Sequence, residues 1–96
     1  MIAVSEAEKE LIKAILYRNV PQSEVRVFGS RHRGTNKPYS DLDLAINGEL
    51  TGKQLADLRC EFEECRLPYR VDVLDYRKIS PEFRIVIDAG YTVFPG

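Results

Sequence analysis

The chain has 96 residues, 44% of them apolar, and its 14 Lys or Arg against 15 Asp or Glu give a formal net charge of −1. That length admits one domain, residues 1–96, able to bury roughly 60–70% of its unfolded surface, and the apolar content excludes a disordered chain. Balanced charge argues against a nucleic-acid coat protein or a basic membrane binder, no run approaches the ~18 apolar residues of a membrane span, and the start lacks the basic region of a signal peptide, so the protein is expected in the cytoplasm.

Ser5-x-x-Glu8 forms a capping box ahead of Leu11, Ile12, Ile15 and Leu16, which share one face of a helix predicted over 5–18 and stopped before Pro21. Val25–Phe28 reads as a short strand ended by Gly29-Ser30, and 31–40 as a helical turn followed by a loop with Gly34, Asn36 and Pro38 as breakers. Asp41–Ile46 alternates strictly: Leu42, Leu44 and Ile46 on one face, Asp41, Asp43 and Ala45 on the other. Asn47-Gly48 signals a turn, and Leu55, Leu58, Phe62 and Cys65 mark a helix over 52–66. A third strand is predicted at 69–75, with Val71 and Val73 facing one way and Asp72 the other. Ser80-Pro81 opens a last helix with Phe83, Val86 and Ile87 as its apolar face and Gly90 as C-cap, before a final strand at 91–94. The order α-β-α-β-α-β-α indicates an α/β or α+β fold, with helices mainly on one face of the sheet.

Cys60 and Cys65 are spaced CxxxxC, unlike a zinc or redox site, and read as reduced helix residues. His32 is the one histidine, so any metal must be held by carboxylates and is a hard ion such as Mg²⁺. Aspartate is a poor strand former, yet three stand in apolar strand patterns. Asp41 and Asp43 leave one face roughly 6–7 Å apart at a rise of ~3.3 Å per residue, and Asp72 sits on a later strand with the same alternation. A divalent ion would offset their repulsion; a merely solvated sheet face would also produce the alternation. The loop before them shifts the balance. Gly29-Ser30 at a helix start is suited to cradling phosphate, and Val25–Ser40 carries Arg26, Arg31, Arg33 and Lys37 with no acid.

Gly29-Ser30, ten residues, then Asp41-x-Asp43 resembles the signature of the polymerase-β-like nucleotidyltransferases. Arg33-Gly34 within the spacer, Ser40 before Asp41 and the later Val71-Asp72-Val73 match as well, and the resemblance covers about 5–95, close to a whole minimal nucleotidyltransferase domain. His32 departs from the pattern where the family often has a small residue; it is expected at the surface near the loop. Asp75 rivals Asp72 as third carboxylate but falls on the opposite face of a regular strand.

The resemblance implies the polymerase-β-like core, a small mixed β-sheet, and a reaction in which an acceptor hydroxyl attacks the α-phosphorus of ATP or another nucleoside triphosphate. It implies Asp41, Asp43 and Asp72 as catalytic residues and ligands of two Mg²⁺ ions, with Asp72 next to the acceptor oxygen. Gly29, Ser30 and Arg33 would bind the nucleotide, and Arg31 would face solvent or a partner; independently of the resemblance, Lys37 and Glu61–Glu64 are expected to be solvated surface, as charged residues usually are. It also implies the antitoxin half of a HEPN-toxin pair, silencing its partner by moving AMP onto a protein hydroxyl. The alternatives are a non-catalytic binding antitoxin and transfer to a small molecule. No membrane or direct nucleic-acid binding is expected; homo-oligomerisation is left open. The apolar residues of the final helix and 91–94 read equally as core or as a partner face.

Overall fold

In a computed structural model, which describes residues 2–95, every predicted helix and strand is present. α1 (Glu6–Asn19) starts on the capping box, with Ser5 Oγ accepting from the Glu8 amide and the Glu8 carboxylate accepting from the Ser5 amide. β1 (Glu24–Phe28) leads into α2 (Ser30–Arg33), a single turn closed by Gly34 in the left-handed conformation. β2 (Leu42–Asn47) begins one residue after Asp41. α3 (Gly52–Glu64) carries a second capping box, Thr51 with Gln54, and ends two residues earlier than the periodicity predicts, at a Cys65 cap. β3 (Val71–Asp75) starts after Pro68, Tyr69 and Arg70, so the predicted start at 69 is too early. A 3-10 turn (Tyr76–Lys78) joins it to α4 (Pro81–Asp88), whose C-cap is Ala89 rather than the predicted Gly90, and β4 (Thr92–Val93) closes the order.

The sheet runs β3-β2-β1-β4, with β1 antiparallel to both β2 and β4 and β3 parallel to β2. Alternation then sorts the side chains. Val25, Val27, Leu42, Leu44, Ile46 and Val73 face Ile12, Ile15 and Leu16 of α1 and Leu58 and Phe62 of α3, all buried in one core. Arg18 and Asn19 of α1 both donate to the Glu61 carboxylate, at 2.6 and 2.9 Å, so the first residue of the acidic stretch ties the two long helices together.

Arg26, Phe28, Asp43, Ala45 and Asp72 occupy the other face. The short α4 reaches it with the Phe83 ring edge-on to Phe28 at 6.0 Å and with Asp88 paired to Arg26 at 2.8 Å. The Arg26 guanidinium is sandwiched between the rings of Tyr76 and Tyr91, 4.6 and 4.4 Å from their centroids. Of the predicted apolar face of α4, only Ile87 is buried; Phe83 is 38% exposed and Val86 65%. The reason is geometric: eight residues give barely two turns, and the sheet meets them along one narrow line. No helix among the described residues is long and apolar enough to cross a membrane.

Candidate active site

The candidate site lies where β1 ends, β2 begins and β3 begins, on the sheet face away from α1 and α3. Asp43 pairs in register with Phe28 on one side and with Asp72 on the other. Its two neighbours are therefore the residue that leads into the Gly29-Ser30 turn and the third predicted carboxylate. Asp41 stands one residue ahead of the strand, where its carboxylate accepts from Arg70 Nη2 at 3.3 Å. Arg70 immediately precedes β3, and its carbonyl accepts from the Leu42 amide, so the loop that delivers Asp72 is pinned to the one that delivers Asp43.

Asp43 is half-buried, and its carboxyl is pushed up to about 6 from an ordinary 3.8. Burial is the main cause; the charges of Asp72 and Asp41 add to it, and those of Arg33 and Arg70 oppose it. Gly29 has φ +77°, which non-glycine residues rarely adopt, and a Cβ there would overlap Asp43 Oδ2. The turn and the carboxylate are thus built against each other. Beyond Gly29, Ser30 opens α2, whose first amides have no intrahelical acceptor, as at any helix start. Arg33 sits exposed at the end of that turn.

The predicted site residues Gly29, Ser30, Arg33, Asp41, Asp43 and Asp72 are therefore gathered at one corner. Among the described residues, no three acidic, His or Cys side chains close into a ready ligand cage. The donor set suits a hard cation nonetheless. It is all carboxylate oxygen, it includes one carboxylate raised by burial and by its neighbours' negative charge, and Gly29 leaves open the space, which a Cβ would fill, that Asp43 Oδ2 takes up.

Asp75 is not part of this corner. It is buried, and its carboxylate accepts from the Arg77 amide to cap the 3-10 turn. His32 lies beside the loop as expected, with Nδ1 and Thr92 Oγ1 sharing a hydrogen bond of 2.8 Å that ties α2 to β4. Arg31 overturns its expectation. It is 4% exposed, not solvent- or partner-facing. Its guanidinium donates to the carbonyls of Ala3, Ser40 and Pro38 at 2.7–3.0 Å and lies over the Tyr69 ring at 3.7 Å. One carbonyl from the start of the chain and two from the loop after α2 make no pattern in the sequence, so nothing there could have marked this role. Arg70 was missed too, although its place directly before Val71-Asp72-Val73 is a usable signal.

Residues 10–94 match the family model described as polymerase beta, nucleotidyltransferase. The probable protein adenylyltransferase MntA of Haemophilus influenzae is 44% identical over 92 residues, which cover 94% of this chain and 81% of that one. Among solved structures, a minimal nucleotidyltransferase superposes with a TM-score of 0.67 at 30% identity, over 90% of this chain and 88% of that one. A toxin–antitoxin structure with AMP-PNP gives a TM-score of 0.74 over 92% of this chain and 73% of that one; at 24% identity the likeness is one of fold.

Proposed function

The chain belongs to the polymerase β nucleotidyltransferase family, and from that premise we propose that it moves AMP from ATP to a hydroxyl of a partner protein, a HEPN-domain toxin that it neutralises as the antitoxin. One observation carries the reading: Asp43 stands in register with Asp72 and directly against the Gly29 turn, so a carboxylate pair and a glycine turn share one corner.

In this reading the Gly29 amide and Ser30 receive the β- and γ-phosphates, and Arg33 adds positive charge beside them. Asp41, Asp43 and Asp72 would hold two Mg²⁺ ions. Bound there, the ions would stabilise the attacking and leaving oxygens of an in-line displacement. Asp72, the most open of the three, takes the proton of the acceptor hydroxyl. The acceptor oxygen bonds to the α-phosphorus, the bond from that phosphorus to the oxygen bridging it to the β-phosphorus breaks, and pyrophosphate leaves. The proton then passes from Asp72 to solvent. Arg70 releases Asp41 for this work and stays close enough to counter the site's negative charge.

The name of the relative MntA supports a protein acceptor, and the toxin–antitoxin neighbour supports a toxin as that acceptor. The reading calls for a compartment where ATP is plentiful, and we propose the cytoplasm. The test is label transfer in host-cell lysate with Mg²⁺, comparing the native chain with Asp41→Asn/Asp43→Asn. The expected result is one protein band labelled from α-labelled but not γ-labelled ATP, and lost in the double variant. Neutralisation of the toxin by the folded double variant, with no label transfer by the native chain, would replace catalysis with a contact-only antitoxin.

A further inference from the structure

We propose that the outer edge of β3 is the acceptor subsite, where an extended segment of the acceptor protein adds as a further strand and brings its hydroxyl side chain beside Asp72. The inference rests on the nucleotidyl-transfer reading and extends it to how the acceptor is held.

β3 is an edge strand of the sheet. The Leu42 amide donates to the Arg70 carbonyl across the β2 seam, so Arg70, Asp72 and Leu74 turn their backbone groups inward, while Val71 and Val73 turn theirs outward. Arg59 of α3 bears this out: Nε and Nη2 donate to the outward Val73 carbonyl at 3.2 and 2.8 Å. An edge of outward amides and carbonyls is a template for another strand. Here Arg59 ends that template at Val73, leaving a short stretch centred on Val71 and Asp72.

A cleft of about 160 Å³ runs along this edge, lined by Arg59, Glu63, Arg70, Val71, Asp72 and Val73. It adjoins a second of about 260 Å³ that Phe62 and Leu67 help to line. In an antiparallel addition, one residue of the incoming strand exchanges both backbone bonds with Val71, and the residue before it in that strand lies opposite Asp72. That residue's side chain leaves on the same face as Asp72, with the two Cβ atoms ~4.5–5.5 Å apart. Its hydroxyl is then delivered to the carboxylate side of the sheet. The side chain of the residue paired with Val71 points the other way, toward Phe62 and Leu67. The edge thus fits an extended peptide carrying a hydroxyl residue before an apolar one, with an acidic residue within reach of Arg59 or Arg70.

The test is Val71→Pro, which removes an outward amide and leaves the ladder to β2 intact. In the lysate label-transfer assay, the folded variant should label the acceptor band at least about 10-fold more slowly at limiting acceptor, the loss expected for one or two backbone hydrogen bonds. Unchanged labelling by the folded variant would overturn the proposal while leaving nucleotidyl transfer standing. No labelling by the native chain would overturn both. If Val71→Pro does not fold, amide exchange by NMR on the Asp41→Asn/Asp43→Asn chain decides. Protection of the Val71 and Val73 amides on adding the purified acceptor band supports the edge, and unchanged exchange overturns it. Protection already present in the chain alone, with concentration-dependent sedimentation, would assign the edge to a second copy and overturn it too.

Discussion

Asp43 and Asp72 face each other across two parallel strands, one register step with no residue between them. Neighbouring strands lie ~4.8 Å apart, and like charges directly opposite destabilise a sheet. Asp43 bears the consequence in a carboxyl raised to about 6, with burial as the larger cause and Asp72 the next.

Asp43→Asn is expected to stabilise the metal-free chain while cutting transfer by at least about 100-fold. The rise from 3.8 to about 6 is worth at most ~3 kcal/mol, and solvent screening of the open half brings the expected gain to about 1–2 kcal/mol at neutral pH. The folded-state pKa lies above the unfolded one. Stability from Asp43 is thus fully present below about pH 4, declines as pH rises through about 6, and is flat beyond. Melts of native chain and variant across that window should differ by this slope. Added Mg²⁺ should stabilise the native chain more at about pH 8 than at about pH 5, and the variant much less at either.

Gly29→Ala should cost both stability and transfer. The φ of +77° strains any side chain, and the new Cβ overlaps Asp43 Oδ2. A loss of ~1–3 kcal/mol is expected from the backbone alone, with displacement of Asp43 added to it. A denaturant melt and a transfer assay check the two effects separately.

Arg31→Ala should destabilise by about 2–4 kcal/mol, since it strands three carbonyls and uncovers the Tyr69 ring. Arg31→Lys should recover little, because an ammonium cannot span three acceptors in a planar fork. Ser40 stands next to Asp41, so nucleotide affinity should fall with stability. Calorimetry on both variants measures this.

On α4, Ile87→Ala should cost ~2–4 kcal/mol, whereas Val86→Lys should stay within about 0.5 kcal/mol of the native chain. The contrast follows from full burial of Ile87 against 65% exposure of Val86. Thermal melts of the two variants test it.

The elements were legible in the chain because their signals are local. The Ser5 capping box, the breakers at Gly34 and Pro68 and the alternation through Asp43 each act within a few residues. The site was legible as a set of candidates, since Gly29-Ser30 and Asp41-x-Asp43 are close in sequence and only Asp72 comes from afar. Whether a stripe such as that of α4 is core or surface was not, because it depends on how much of the sheet lies beneath it.

The sequence by itself determined which residues could do chemistry: an oxygen-only donor set, one histidine, and a glycine turn in a basic loop. Tertiary structure decided which of them meet. Parallel pairing of β2 with β3 put Asp72 opposite Asp43 and sent Asp75 into a cap, and burial turned Arg31 from a surface charge into a tie among three segments. Register and burial belong to strands and helices brought together from far apart in the chain, and a local pattern of residues carries no record of them.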